Sequence, residues 1–221
     1  MIPSTLDLAL LKADATRGDL EKLCAEAKRA NVNGVLVNGS RVIQARHWLD
    51  ESQVKTLCAI AWPLGAMDAD AKRYEVEAAL DAGAQGFEMV INLGRFKDGD
   101  DAYVLRELRD VVEAADERPV KVILETCLLT QVEKTRACQL VVESGARFVK
   151  TSTGFSAGGA TVADVRLLRE TVGPQFGVKA SGGIRDAKTA LEMIAAGATR
   201  LGTSAGIAIV KGLEETKAGS Y

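Results

Sequence analysis

Histidine is almost missing from this chain: His47 is the only one in 221 residues. That argues against a Ser-His-Asp triad and against a histidine-rich metal site. His47 precedes Trp48 and Leu49 in a helical pattern, so it reads as a surface or packing residue. Cysteine is scarce too. Cys24, Cys58, Cys127 and Cys138 show no CxxC spacing, which points to reduced thiols and away from a metal site or a disulfide framework. No apolar run reaches membrane-spanning length, and the first residues lack a charged-then-apolar leader, so a cytoplasmic location with no membrane partner is expected. Neither sign of charge dominates: 28 Lys and Arg face 30 Asp and Glu, with no basic block, which excludes nucleic acid as a partner. No linker or low-complexity stretch interrupts the chain, so residues 1–221 are expected to form one domain. No GxGxxG follows the first strand, which argues against a doubly wound nucleotide-binding sheet.

What is present is a repeated strand–helix unit. Apolar runs at Leu6–Leu11, Gly34–Asn38, Thr56–Trp62, Gly86–Ile91, Val120–Leu124, Phe148–Thr151, Gly177–Ala180 and Arg200–Thr203 read as eight strands. Helical spacing predicts helices from Leu20, at Arg41–Leu49, Ala71–Ala82, Tyr103–Ala115, Gln131–Glu143, Val162–Val172, Ala187–Ala196 and Ser204–Leu213, the third with an apolar stripe at Tyr74, Val76, Ala79 and Leu80. Ala82-Gly83-Ala84, Ser144-Gly145-Ala146 and Ala196-Gly197-Ala198 place glycine where a left-handed helix cap is expected. Eight alternating units in a chain of this length predict a single (β/α)₈ TIM barrel.

A barrel of this kind carries its chemistry at the C-terminal ends of its strands. Asp7, Asn38, Glu88, Lys121, Lys150 and Lys179 become inward candidates on that basis. Lys150 and Lys179 lie 29 positions apart at the ends of neighbouring strands, each opening into a small-residue turn. A buried lysine needs either full pairing with carboxylates or a use for a lowered pKa, such as attack on a carbonyl. Beside Gly/Ser/Thr turns the functional reading is favoured. For Asp7 and Lys121 a structural ion pair stays equally open. The turns Ser152-Thr153-Gly154, Ser181-Gly182-Gly183 and Gly202-Thr203-Ser204 follow the last three strands, and together they predict a phosphate site.

At these residues the sequence resembles the deoxyribose-phosphate aldolases, class I aldolases with a barrel fold. The carriers are Val149-Lys150-Thr151-Ser152-Thr153-Gly154-Phe155, Gly177-Val178-Lys179-Ala180-Ser181-Gly182-Gly183-Ile184-Arg185, Met89-Val90-Ile91-Asn92-Leu93-Gly94, Lys121-Val122-Ile123-Leu124-Glu125-Thr126 and Gly202-Thr203-Ser204. The resemblance runs end to end. It implies reversible cleavage of 2-deoxy-D-ribose 5-phosphate to D-glyceraldehyde 3-phosphate and acetaldehyde, with no cofactor, by a homodimer or higher homo-oligomer. It implies that Lys150 forms the Schiff base, that Lys179 lowers the pKa of Lys150, and that Asp7 and Lys121 match family positions in the same site. Gly154, Gly182, Gly183 and Ser204 match the phosphate cradle, with Thr153 and Ser181 beside them. Tyr221 matches a C-terminal tyrosine that helps to move a proton.

The departures from the family cluster in the pocket. Glu88 stands where aspartate is usual, Leu36 replaces a cysteine, Ala9 a threonine, Trp62 a phenylalanine and Ala205 a serine, and Ala13 and Gly39 replace prolines. Such a cluster suggests a specialised or laboratory-altered member and puts the natural cleavage rate in question. Two other readings compete with the aldolase: a lysine-iminium catalyst of a different bond formation, such as conjugate addition to unsaturated aldehydes, and a non-enzymatic sugar-phosphate binder.

Overall fold

A computed structural model describes residues 3–218. Among them eight parallel strands close into a barrel in sequence order: β1 Leu6–Leu10, β2 Gly34–Asn38, β3 Lys55–Ile60, β4 Phe87–Val90, β5 Val120–Ile123, β6 Phe148–Lys150, β7 Gly177–Ser181 and β8 Arg200–Thr203. The helices between and after them are α1 Arg17–Ala30, α2 Val42–Leu49, α3 Ala69–Asp81, α4 Leu93–Lys97, α5 Asp101–Ala114, α6 Gln131–Glu143, α7 Val162–Val172, α8 Ala187–Ala195 and α9 Gly206–Ala218. The predicted barrel is therefore present, with every predicted strand in its place.

Local chemistry explains the boundaries. Thr16 and Asp19 form a capping box at the start of α1, and Thr130 and Glu133 form another at α6. The three glycines expected to stop helices all adopt left-handed backbone. The main core lies between the strands and the helices. Leu20, Cys24 and Ala27 of α1 and Val104, Leu108 and Val111 of α5 are buried against outward strand residues such as Val35, Val37 and Val122.

Some expectations need correction. β3 stops at Ile60 and not at Trp62, because Ala61 takes a left-handed φ of 52° and its N–H turns to donate to Glu75 Oε2 at 2.7 Å. β6 ends at Lys150, one residue early. The short helix α4 was not predicted; the Asn92 side chain caps it, accepting from the Arg95 N–H at 3.2 Å. Tyr74, placed on the apolar stripe of α3, is 72% exposed. The buried side of that helix carries Lys72 instead. Its Nζ pairs with Glu107 Oε1 at 2.8 Å and donates to the Val90 carbonyl at 2.9 Å. Glu107 Oε2 accepts from the Asn92 N–H at 3.2 Å. This network ties α3 and α5 to the C-terminal end of β4.

Candidate active site

Inside the barrel, the strands present a charged cluster where an apolar core would be usual. The register sets Lys150 beside Lys179, Ile123 beside Lys150, and Glu88 beside Lys121. Lys179 Nζ donates to Asp7 Oδ2 at 2.6 Å and to Glu88 Oε1 at 2.6 Å. Lys150 Nζ donates to Glu88 Oε2 at 2.7 Å, and Lys121 Nζ lies 3.5 Å from Glu88 Oε1. Asn33 Nδ2 donates to the other oxygen of Asp7 at 2.5 Å. All five charged groups are buried. Gly202 makes this possible: a Cβ there would sit 2.8 Å from Lys179 Cε.

Three lysines and two carboxylates leave the cluster one positive charge in excess, and Lys150 and Lys121 are the two lysines held below their ordinary value. Burial lowers the pKa of Lys150; the Glu88 carboxylate opposes that, while the charges on Lys179 and Lys121 add to it, leaving Lys150 at about 8. Burial also pushes Lys179 down, but Asp7 and Glu88 together outweigh it and hold Lys179 above its ordinary value, so it stays charged. Burial would raise Glu88; Lys150, Lys179 and Lys121 hold it well below the usual carboxylate range. Asp7 is lowered for the same reason, chiefly by Lys179 acting against burial. Lys121 is lowered by burial against the pull of Glu88 and Asp7. The arrangement supplies one amine that can lose its proton near neutral pH, beside a fixed cation and a shared carboxylate. Burial pushes the Cys58 thiol up to about 12, so it stays protonated.

Above the cluster a cavity of about 400 Å³ opens at the C-terminal ends of the strands. Lys150 and Lys179 reach its floor. Thr153, Gly154, Ser181, Gly182, Gly183 and Ser204 line one side, so the three small-residue turns converge as expected. The turns after β6 and β7 touch: a Cβ on Gly182 would lie 2.9 Å from Gly159 Cα, and Gly182 also has φ +85°. The Ser181 hydroxyl donates to the Ser152 carbonyl at 2.6 Å, so it clamps these turns together. Leu36 lines the opposite side with Ala9, Leu11 and Trp62. Asn38 is not brought into this cavity. It lines a smaller neighbouring pocket of about 100 Å³, and its side chain faces the Leu11 carbonyl at 3.5 Å. Tyr221 lies outside the described residues.

Three groups at the site went unassigned in the sequence. Arg185 and Lys12 both line the cavity and add positive charge at its mouth. Arg185 closes the Gly-Gly-Ile-Arg run after β7, which was a usable signal. Glu125 is buried with a left-handed φ of 54° and accepts the Thr153 N–H at 3.3 Å on each oxygen; the Thr153 hydroxyl also donates to it. The Thr153 hydroxyl oxygen in turn accepts from the Phe155 N–H at 3.0 Å. Glu125 thus fixes the turn that follows Lys150. A glutamate at a strand end gives no such signal by itself.

Residues 5–212 match the family described as "DeoC/LacD family aldolase". The chain is 52% identical over 219 residues to the deoxyribose-phosphate aldolase of Alkaliphilus oremlandii, covering 99% of both chains. It is 52% identical over 212 residues to that of a Geobacillus species, covering 96% of this chain and 95% of the other. Among solved structures, "QR15, an Aldolase" superposes with a TM-score of 0.95 at 35% identity, covering 100% of this chain and 99% of that one. The tetrameric deoxyribose phosphate aldolase of Aeropyrum pernix gives 0.91 at 29% identity, with 97% and 92% covered.

Proposed function

As a member of the DeoC/LacD aldolase family the chain is an aldehyde-lyase, and we propose that it cleaves 2-deoxy-D-ribose 5-phosphate reversibly to D-glyceraldehyde 3-phosphate and acetaldehyde through a Schiff base on Lys150. The observation that carries the reading is the lowered Lys150 amine, at about 8, buried between Glu88 and Lys179 at the floor of a cavity rimmed by glycine turns.

The neutral Lys150 amine adds to the aldehyde carbon of the open-chain sugar, and loss of water gives a protonated imine. Lys179, held charged by Asp7 and Glu88, keeps the amine available and cannot itself compete as a nucleophile. The iminium at the first carbon draws the electrons of the bond between the second and third carbons, as Glu88 takes the proton of the hydroxyl on the third carbon. That carbon leaves as the aldehyde of glyceraldehyde 3-phosphate. Glu88 returns the proton to the enamine, and water releases acetaldehyde and the free lysine. Lys121 balances the charge on Glu88 at 3.5 Å. Backbone groups of Gly154, Gly182 and Gly183, with Ser204, hold the phosphate, and Arg185 reinforces them. The lysine is the electron sink, so the chemistry calls for no metal or redox group. The reading takes residues 1–221 as one domain working as a cytoplasmic homo-oligomer. The self-association of the Aeropyrum relative and the free buried thiols Cys24, Cys58 and Cys138 support that extension.

The direct test is release of acetaldehyde from 2-deoxyribose 5-phosphate by the purified chain and its loss in Lys150→Met. A wild-type chain that binds the sugar phosphate without cleaving it would refute the reading in favour of a binder.

A further inference from the structure

The cavity has two unlike walls, and only one has a use in cleaving a sugar phosphate. The wall from β6 to β8 carries the glycine turns, Thr203, Ser204 and Arg185. The wall from β1 to β3 is apolar. Leu36, Leu57 and Ala59 form a small hydrophobic cluster separate from the main core, and Ala9, Leu11 and Trp62 pack against it. The register aligns Ala9, Leu36 and Leu57 across three strands, so these side chains make one layer facing into the barrel. Phe155 crosses from the far side, its ring centroid 6.0 Å from that of Trp62 at an interplanar angle of 89°. The Trp62 ring centroid lies 4.8 Å from Lys150 Nζ.

Lys150 stands between the walls. A substrate joined to it sends its phosphate end toward the glycine turns, so the carbons of the donor aldehyde start against Trp62 and face the β1–β3 wall. Acetaldehyde has a single methyl group to offer that surface. We propose, resting on the Lys150 Schiff base above, that this wall is an apolar subsite for the donor aldehyde and that the enzyme takes unbranched alkyl aldehydes of several carbons as donors. In that reaction Lys150 adds to the alkyl aldehyde and loses water to give the iminium, and Glu88 removes a proton from the carbon next to it to give the enamine. The enamine carbon forms the new bond to the carbonyl carbon of glyceraldehyde 3-phosphate, whose oxygen takes up the proton. Water then hydrolyses the iminium and frees the lysine. Two aldehydes give one hydroxyaldehyde carrying an alkyl branch at the carbon next to its carbonyl, with no net gain or loss of water.

Burying a methylene is worth about fourfold in an equilibrium or rate ratio. With glyceraldehyde 3-phosphate as fixed acceptor, kcat/KM should therefore hold or rise from acetaldehyde through propanal and butanal to pentanal. Leu36→Ser should lower the pentanal-to-acetaldehyde ratio by about fourfold or more. Borohydride reduction of the wild-type chain with pentanal alone should leave a pentyl adduct on Lys150, a readout that needs no folded variant. Reaction with acetaldehyde but neither turnover nor adduct with pentanal would overturn the subsite and leave the Schiff-base reading standing. No adduct with either aldehyde would overturn both. An unchanged ratio in Leu36→Ser would show that the wall does not select the donor.

Discussion

Replacing Glu88 by glutamine should move the pH dependence of this enzyme in the direction opposite to the usual loss of a catalytic base. In the free enzyme the acid limb of kcat/KM reports the proton on Lys150, and that amine sits at about 8. The Glu88 carboxylate accepts from Lys150 at 2.7 Å and favours the charged amine. An opposite charge at such range shifts a pKa by about 1–3 units. Removing it while Lys179 and Lys121 remain should lower Lys150 to roughly 5–7. The plateau should fall at the same time, by ~10²–10⁴-fold, because the proton relay is lost. Glu88 also pairs with Lys179 at 2.6 Å, so its neutralisation leaves buried cations short of a partner and should cost about 3–5 kcal/mol of stability. Urea titration therefore comes first, to find conditions in which Glu88→Gln is folded. The assay is kcat/KM for 2-deoxyribose 5-phosphate cleavage from about pH 5.5 to 9.5. A limb that stays at its wild-type position, or climbs, would refute the claim that Glu88 tunes Lys150 by direct contact.

Other consequences follow from the same cluster. Lys179→Met should shift the acid limb upward, because the Lys179 charge lowers the Lys150 pKa, and Lys179→Arg should retain more activity than Met by keeping the charge; equal profiles for the two would count against an electrostatic role. Gly183 lines the cavity, and although its φ of +80° strains any side chain, a Cβ there meets nothing within 4 Å; Gly183→Leu should therefore raise the KM for the sugar phosphate far more than that for acetaldehyde, and matching rises would argue against phosphate there. The pKa of Lys150 is about 8 folded against 10.5 as a free side chain, so the unfolded chain binds more protons between those values and this residue's contribution to stability rises with pH across that window. Urea titrations of wild type and Lys150→Met at about pH 8 and 10 should show that rise in the wild type and lose it in the variant.

Much of the architecture was legible because the strand–helix alternation is carried by local chemistry. The Ala-Gly-Ala and Ser-Gly-Ala helix ends and the short apolar strands each act within a few residues. Errors arose where distant groups decide. Lys72 and Glu107 look like solvent-facing charges on two helices, and only their packing at 2.8 Å turns them inward and leaves Tyr74 exposed. β3 ends early because Glu75, on a following helix, captures the Ala61 N–H. The candidate site was legible through Lys150, Lys179 and the three turns, which are contiguous motifs. The direct contact of Glu88 with both lysines was not, since it depends on three strands meeting inside the barrel. The role of Glu125 is not legible for the same reason: its partner Thr153 lies on the next loop. Asn38 lines the neighbouring pocket, where its side chain donates to the Leu11 carbonyl at 3.5 Å, a contact that depends on the loop after β1.

The central claim is that one buried amine carries the chemistry, and covalent trapping tests it most directly. The enzyme is incubated with acetaldehyde, reduced with borohydride, digested and read by mass spectrometry. The account predicts an ethyl adduct on the peptide containing Lys150, formed more readily as pH rises toward about 8. An adduct on Lys179 or Lys121 instead would contradict it, as would complete trapping in Lys150→Met.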